Sequence, residues 1–327
     1  MSALGVETPS SQEEPRSLRG RRRRPHRGGT NSRLTPYILI APALIAIVAL
    51  LGYPLYRMVY LSFYKYEKPQ LFGFLPAKYV GLAQYSKLFG DAQFWTVVWR
   101  TIVLCAFCVV LSICIGLLIA LLMNRVATWV RLTMTVVMLL VWASPQLVSI
   151  QIWKWFFNAQ FGLVNWVLSQ IPGVDMMGHD WFADPKQGLY VVVSSLIVWG
   201  AIPFLAITLH AGMTMVPSEL VEAAKLDGAN KIQVFRNVIL PVIKPLLVIV
   251  ITLSVIWDFG PFNQIFVLRD THPEDGYLVL SIYMQQQSFG ASHFGVGAAA
   301  AVITVLLMLG VMVFYVRQMF KIGDADQ

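Results

Sequence analysis

Five stretches of this chain run for 19 to 23 residues without a charged side chain, and nothing else constrains its folding as much. They cover residues 34–56, 101–123, 132–150, 189–210 and 294–316. A helix of 23 residues at about 1.5 Å per residue reaches about 34 Å, enough for a hydrocarbon core of about 30 Å. A sixth run, 245–268, is also long enough and holds a single acid, Asp258. Composition points the same way. Only 13% of residues are charged and 57% are hydrophobic, against about 25% charged in soluble domains. With a mean hydropathy of +0.64, a single soluble domain and a disordered chain are both excluded. The expected fold class is an all-α integral membrane protein with six transmembrane helices.

Six crossings place both termini on one side, and basic residues indicate which side. With the N-terminus inside, the inner segments 1–33, 124–131, 211–244 and 317–327 hold sixteen lysines and arginines, against nine outside. The expectation is therefore N-in and C-in. Eight of the sixteen are arginines in the tail 1–33, which is rich in Ser, Pro and Gly and is expected to be a disordered cytoplasmic anchor of orientation. Residues 34–323 form the permeation domain, and 324–327 a short end. Of the net charge of +8, only +3 remains outside residues 1–34, so no basic face is left for nucleic acid. Two outer segments are aromatic. One spans 61–94 and is expected to form a small cap. The other spans 151–188, with Trp153, Trp155, Trp166 and Trp181 at headgroup level.

Chemistry of the enzymatic kind finds no foothold. There is no GxxxxGK[ST] phosphate loop, no HExxH and no GxSxG, and the five histidines are scattered. Cys105 and Cys108 form a CxxC pair without further ligands inside an apolar run, so no metal site is expected and small membrane-helix side chains are the simpler reading.

The segment 213–241 is the most informative. It reads as a short helix, a turn and a second short helix. Ser218 is placed to cap the first helix, with Glu219 and Glu222 near its positive end. Asp227-Gly228 marks the turn, with Gly228 suited to a left-handed position. The second helix is expected from about Asn230 to just before Pro241. Ala223 and Ala224 leave a smooth surface for a close-packed neighbour.

Glu222-Ala223-Ala224, three residues, Gly228, then Val238-Ile239-Leu240-Pro241 resembles the signature loop of permease subunits of binding-protein-dependent ABC importers. The one departure is Val238, where isoleucine is usual. Trp199-Gly-Ala-Ile-Pro203-Phe204, Pro36-Tyr37, Ala41-Pro42-Ala43, Val80-Gly81-Leu82, Asn158, Phe161-Gly162 and Asn165 extend the resemblance to sugar permeases of the maltodextrin-permease type. The resemblance implies a type I ABC importer permease fold in a bacterial cell membrane. It also implies an ATPase-coupling role for Glu222, Ala223, Ala224, Asp227, Gly228, Phe235, Leu240 and Pro241.

The implied partners are a dimer of ABC ATPases carrying ATP and Mg²⁺, a second permease, an extracytoplasmic solute-binding protein, membrane lipid and a sugar or oligosaccharide. This chain itself takes no cofactor and hydrolyses nothing. Span five departs from the family pattern at Phe262-Asn263 and at Arg269 to Pro273, which leaves the cargo open, a glycerophosphodiester included.

Trp257, Asp258, Phe259, Asn263 and Gln264 combine aromatic faces with amides and an acid, the mixture that sugars require. They are the candidate substrate path. Structural polar packing is the alternative for Asp258, as is pairing with Arg269 if the helix breaks at Gly260-Pro261. An ion-coupled secondary transporter is the other functional class, but it would carry several buried ionisable residues and paired repeats. A non-transport membrane protein is a third.

Overall fold

The computed structural model describes residues 35–325, with side-chain surroundings for 37–318. The tail 1–33 and the last two residues of 324–327 lie outside the described residues. The chain divides into two compact units, Met1–Tyr53 and Pro54–Gln327.

In the first unit, α1 (Thr35–Ile47) passes into a wide π turn at Val48–Gly52. Tyr37, Leu39 and Leu50 are each more than 70% exposed. A helix apolar on every side and buried nowhere fits lipid surroundings. The second unit contains almost all of α2 (Tyr53–Ser62) and every later element.

Between α2 and the next long helix, Tyr64–Lys65 (β1) pairs antiparallel with Lys78–Tyr79 (β2), and α3 (Ala83–Phe89) follows. Tyr85 donates its hydroxyl to Ser62 Oγ at 2.7 Å, and Gln84 Nε2 donates to the Tyr64 carbonyl at 3.3 Å. The expected cap is thus an ordered feature, and its two short strands are a small departure from an all-α chain.

The centre of this unit is α4 (Ala92–Met123) packed along α7 (Ser194–Thr214). An apolar lipid solvent gives helices little reason to associate, so close contact of small residues matters. Gly116 shows this: a Cβ there would lie 2.8 Å from the Leu205 Cβ. Around the pair are α5 (Thr128–Trp142), α6 (Gln146–Phe156), α10 (Leu240–Asp258), α11 (Phe262–Leu268), α12 (Leu280–Gln285) and α13 (Phe294–Ala325). Two further helices, in the elbow between α7 and α10, are described with the site.

Among the described residues, five helical stretches are long and apolar enough to cross a membrane: Tyr37–Ser62, Ala92–Met123, Pro185–Thr214, Lys231–Leu268 and Phe294–Gln318. The expected third crossing, 132–150, is not one straight helix. It divides into α5 and α6, which meet at 97°. Pro145 is the reason, because its ring disfavours helical geometry at Ser144 and it has no N–H to extend the ladder. Among the described residues there are therefore five candidate spans, or six when the bent pair counts as one.

Beyond α11 the chain is held by polar contacts. Arg100 donates to the carbonyls of Asp275 and Leu278, each at 2.8 Å. Arg269 pairs with Glu274 and stacks on Phe182 and Tyr277. The hydrogen bond from Arg269 holds the Glu274 carboxyl below its ordinary value, and burial pushes the Tyr277 phenol up to about 12.

Candidate functional site

Two places gather the residues that the sequence singles out. The first is the elbow between α7 and α10. Pro217 starts α8 (Ser218–Leu226) with extended geometry and makes no side-chain cap. Ser218 is therefore the first helical residue and not the cap expected of it, since proline already supplies the entry conformation. Glu219 lies in the first turn, while Glu222 sits a turn further on.

The stop of α8 follows the sequence expectation closely. Gly228 has φ +82°, its N–H donates to the Lys225 carbonyl at 3.1 Å, and the Ala229 N–H donates to Ala224 at 3.0 Å. This is a Schellman close, which needs a residue free to take a left-handed backbone. Asn230 then caps α9 (Lys231–Val234). Its Oδ1 accepts from the Ile232 and Gln233 N–H groups, and Gln233 Oε1 accepts the Asn230 N–H at 2.7 Å.

The second elbow helix does not stop before Pro241. A π turn at Phe235–Ile239 leads directly into α10, with Leu240 N–H reaching the Phe235 carbonyl. The wide turn absorbs the missing proline donor, because Pro241 falls in the first turn of the next segment.

Exposure separates the coupling candidates into two groups. Glu222, Ala223, Asp227, Gly228 and Pro241 are exposed, and Ala224 is half-buried. Phe235 and Leu240 pack beneath them against the cluster of Leu209, Met213 and Ile243. The elbow also carries bare apolar side chains that the sequence reading passed over. Leu226 is 89% exposed, Met215 79% and Ile232 76%. Large apolar groups held outward in this way leave the elbow with an unpartnered apolar face.

The second place is a cavity of about 280 Å³ between α5, α6, α7, α10 and α11. Its walls include Trp142, Trp199, Phe204 and Trp257, with Ser144, Gln146, Ser149 and Gln264 as polar groups. The break at Pro145 is what turns Ser144 and Gln146 into wall residues. Among the lining residues, none is charged. The Trp257 and Phe204 rings meet edge to face at 5.2 Å, and Trp199 lies 4.8 Å from Trp153, whose Nε1 donates to Ser195 Oγ.

Of the five substrate-path candidates, Trp257 and Gln264 line this cavity. Asn263 reaches it indirectly, donating from Nδ2 to Gln146 Oε1 at 3.1 Å. Asp258 and Phe259 do not line it; both are 6% exposed. This stretch of α10 faces α4, where Cys105 Sγ approaches the Val255 carbonyl at 3.8 Å, and Asp258 lies near Cys105 and Cys108. The chain breaks between Asp258 and Phe262 as the glycine and proline suggest, but Arg269 takes Glu274 as its partner. Asp258 Oδ2 has no hydrogen-bond partner among the described residues. Trp142 and Gln146 were missed by sequence reading, although the Ser144-Pro145 dipeptide was available as a break signal.

Known proteins match this architecture. Residues 112–322 match the family described as binding-protein-dependent transport system inner membrane component. The chain belongs to this family. It is accordingly a multi-pass membrane protein and a transport subunit. The diacetylchitobiose uptake system permease protein DasB of Streptomyces coelicolor is 36% identical, the match covering 90% of this chain and 91% of DasB. The sulfoquinovosyl glycerol transport system permease protein SmoG of Agrobacterium fabrum is 31% identical, with 87% and 90% covered. The trehalose/maltose transport system permease protein MalF of Thermococcus litoralis is 28% identical, with 86% and 92% covered. The resemblance to carbohydrate ABC importer permeases is thereby borne out. In fold, the chain is similar to a bacterial ABC transporter that imports the acidic polysaccharide alginate. The TM-score is 0.71 at 19% identity, covering 88% of this chain and 95% of that one.

Proposed function

We propose that the chain is the translocating subunit of an ATP-driven importer for a neutral sugar or short oligosaccharide. The observation that carries this reading is the uncharged cavity walled by Trp142, Trp199, Phe204 and Trp257 and edged by Gln146 and Gln264. Aromatic faces take the C–H surfaces of a pyranose, and amides and hydroxyls take its hydroxyl groups. A wall with no cation offers a carboxylate or phosphate hydrogen bonds but no neutralising charge, which favours a neutral cargo over a glycerophosphodiester or uronate. The relatives named for diacetylchitobiose and for trehalose and maltose support a sugar cargo.

In this reading the protein crosses a bacterial cell membrane six times, the bent pair α5–α6 making one crossing, with both termini and the elbow in the cytoplasm. A dimer of separate ATPases, holding ATP and Mg²⁺, grips the exposed face of α8 around Glu222, Ala223, Ala224, Asp227 and Gly228. Phe235, Leu240 and Pro241 join that handle to α10, so ATPase closure reaches Trp257 along one continuous element. A second permease completes the path, and an external solute-binding protein delivers the cargo. Uptake into vesicles containing the assembled importer tests this with a panel of labelled sugars. Accumulation of a neutral disaccharide, blocked by omitting ATP, is expected. Accumulation only of uronates or phosphodiesters contradicts the cargo reading.

A further inference from the structure

A second cavity, of about 510 Å³, lies between the elbow and the end of α4, apart from the exposed face of α8 and from the aromatic cavity. Three cations from three separate parts of the chain line it: Arg125 just after α4, Lys225 on α8 and Lys231 at the start of α9. None of them has a carboxylate partner among the described residues. Glu219, Glu222 and Asp227 of the same elbow line no part of the cavity. Apart from Asn124, the rest of its wall is apolar, Val216 and Phe235 included.

All three are exposed, so the hollow presents positive charge without a carboxylate to an approaching anion. The apolar wall beside the cations suits an anion that carries a hydrocarbon part. The depth is right for a lipid: the cavity sits where α4 ends at Met123 and α7 at Thr214, at the ends of two membrane-length helices. We infer that Arg125, Lys225 and Lys231 bind the phosphate headgroup of an anionic membrane lipid, whose acyl chain lies along Val216 and Phe235. The bound lipid wedges between α4 and α8 and so sets the resting angle of the elbow. The inference depends on the elbow lying on the cytoplasmic side, but not on the identity of the cargo.

The test uses the assembled importer, washed in detergent and titrated with phosphatidylglycerol or phosphatidylcholine, with bound lipid counted by native mass spectrometry. The wild-type assembly is expected to retain phosphatidylglycerol preferentially. The triple variant Arg125→Gln, Lys225→Gln, Lys231→Gln should bind it about a hundredfold more weakly, taking roughly fivefold per cation near a membrane surface. Lys244→Gln, which removes a cation outside the cavity, should bind as the wild type does. Because the comparison of two lipids on wild-type protein needs no variant, a folding defect in the triple variant leaves the test intact. Equal retention of both lipids overturns the inference, as does undiminished phosphatidylglycerol binding by the triple variant. Displacement by soluble glycerol 1-phosphate with an affinity equal to the lipid's would assign the site to a free phosphate compound and overturn the lipid reading. Loss of the ATPase from the triple variant with lipid binding unchanged would assign the three cations to the ATPase contact instead, and overturn it too.

Discussion

The elbow and the aromatic cavity are built on opposite principles. In the elbow, apolar side chains such as Leu226 and Ile232 stand in the open on a segment whose ends are closed by backbone hydrogen bonds. In the cavity, polar groups such as Gln146, Ser149 and Gln264 are gathered among tryptophans between helices. A surface meant for a rigid neighbour can afford local order with outward hydrophobics. A surface meant for a hydrated solute needs polar edges within a packed scaffold. The elbow is thus specified by its own short sequence, whereas the cavity is specified by how five helices meet.

That contrast breaks most sharply at Gly228. A β-branched residue at a left-handed position costs about 1–2 kcal/mol or more, and the strain falls on the turn that closes α8. Gly228→Val is expected to lower vesicle uptake at least tenfold, as about 1.4 kcal/mol of lost coupling would, while leaving cargo binding by the cavity in place. Uptake and co-purification of the ATPase, measured together, check it. If cargo binding fell as well, the two regions would not be separable.

The cavity side has a smaller expected effect. Trp257 is 52% exposed, and removing one hydrogen-bonding or stacking partner from such a half-open site costs about 0.5–1.5 kcal/mol, or roughly two- to tenfold in affinity. Trp257→Ala and Gln264→Ala should each reduce uptake by an amount in that range and leave ATPase co-purification unchanged. The smallest effect belongs to Asp258. Since it faces α4 and not the cavity, Asp258→Asn should keep uptake within about twofold, equivalent to roughly 0.4 kcal/mol. A loss of tenfold or more would return Asp258 to the substrate path.

The same contrast explains what the residue order disclosed. Gly228 closes α8 within a few positions, so the turn and the two short helices were legible before any coordinates, whereas the cap was expected at Ser218 and the Asn230–Gln233 cap was not read. The long apolar runs gave the spans for a similar local reason. The bend at Ala143-Ser144-Pro145 was passed over although Ser144-Pro145 signals a break, because the run carries no charge through it and hydropathy does not register a change of direction. The path of the chain through Pro241 was hidden too, because a π turn relocates the hydrogen bonds that proline would otherwise break. Asp258 and Trp257 are adjacent in the chain yet face different neighbours, one α4 and the other the cavity. Only the packing of α10 against α4 and α7 separates them.

The handle role of the elbow is tested most directly at Leu226, its most exposed large side chain. A cysteine placed there by L226C, in the assembled importer with its ATPase, should form a cross-link to the ATPase with a short bifunctional reagent. The yield should change when ATP is added, and the parent chain treated identically should give none. Labelling of that cysteine by a lipid-phase reagent, with no ATPase cross-link in either nucleotide state, would contradict the account.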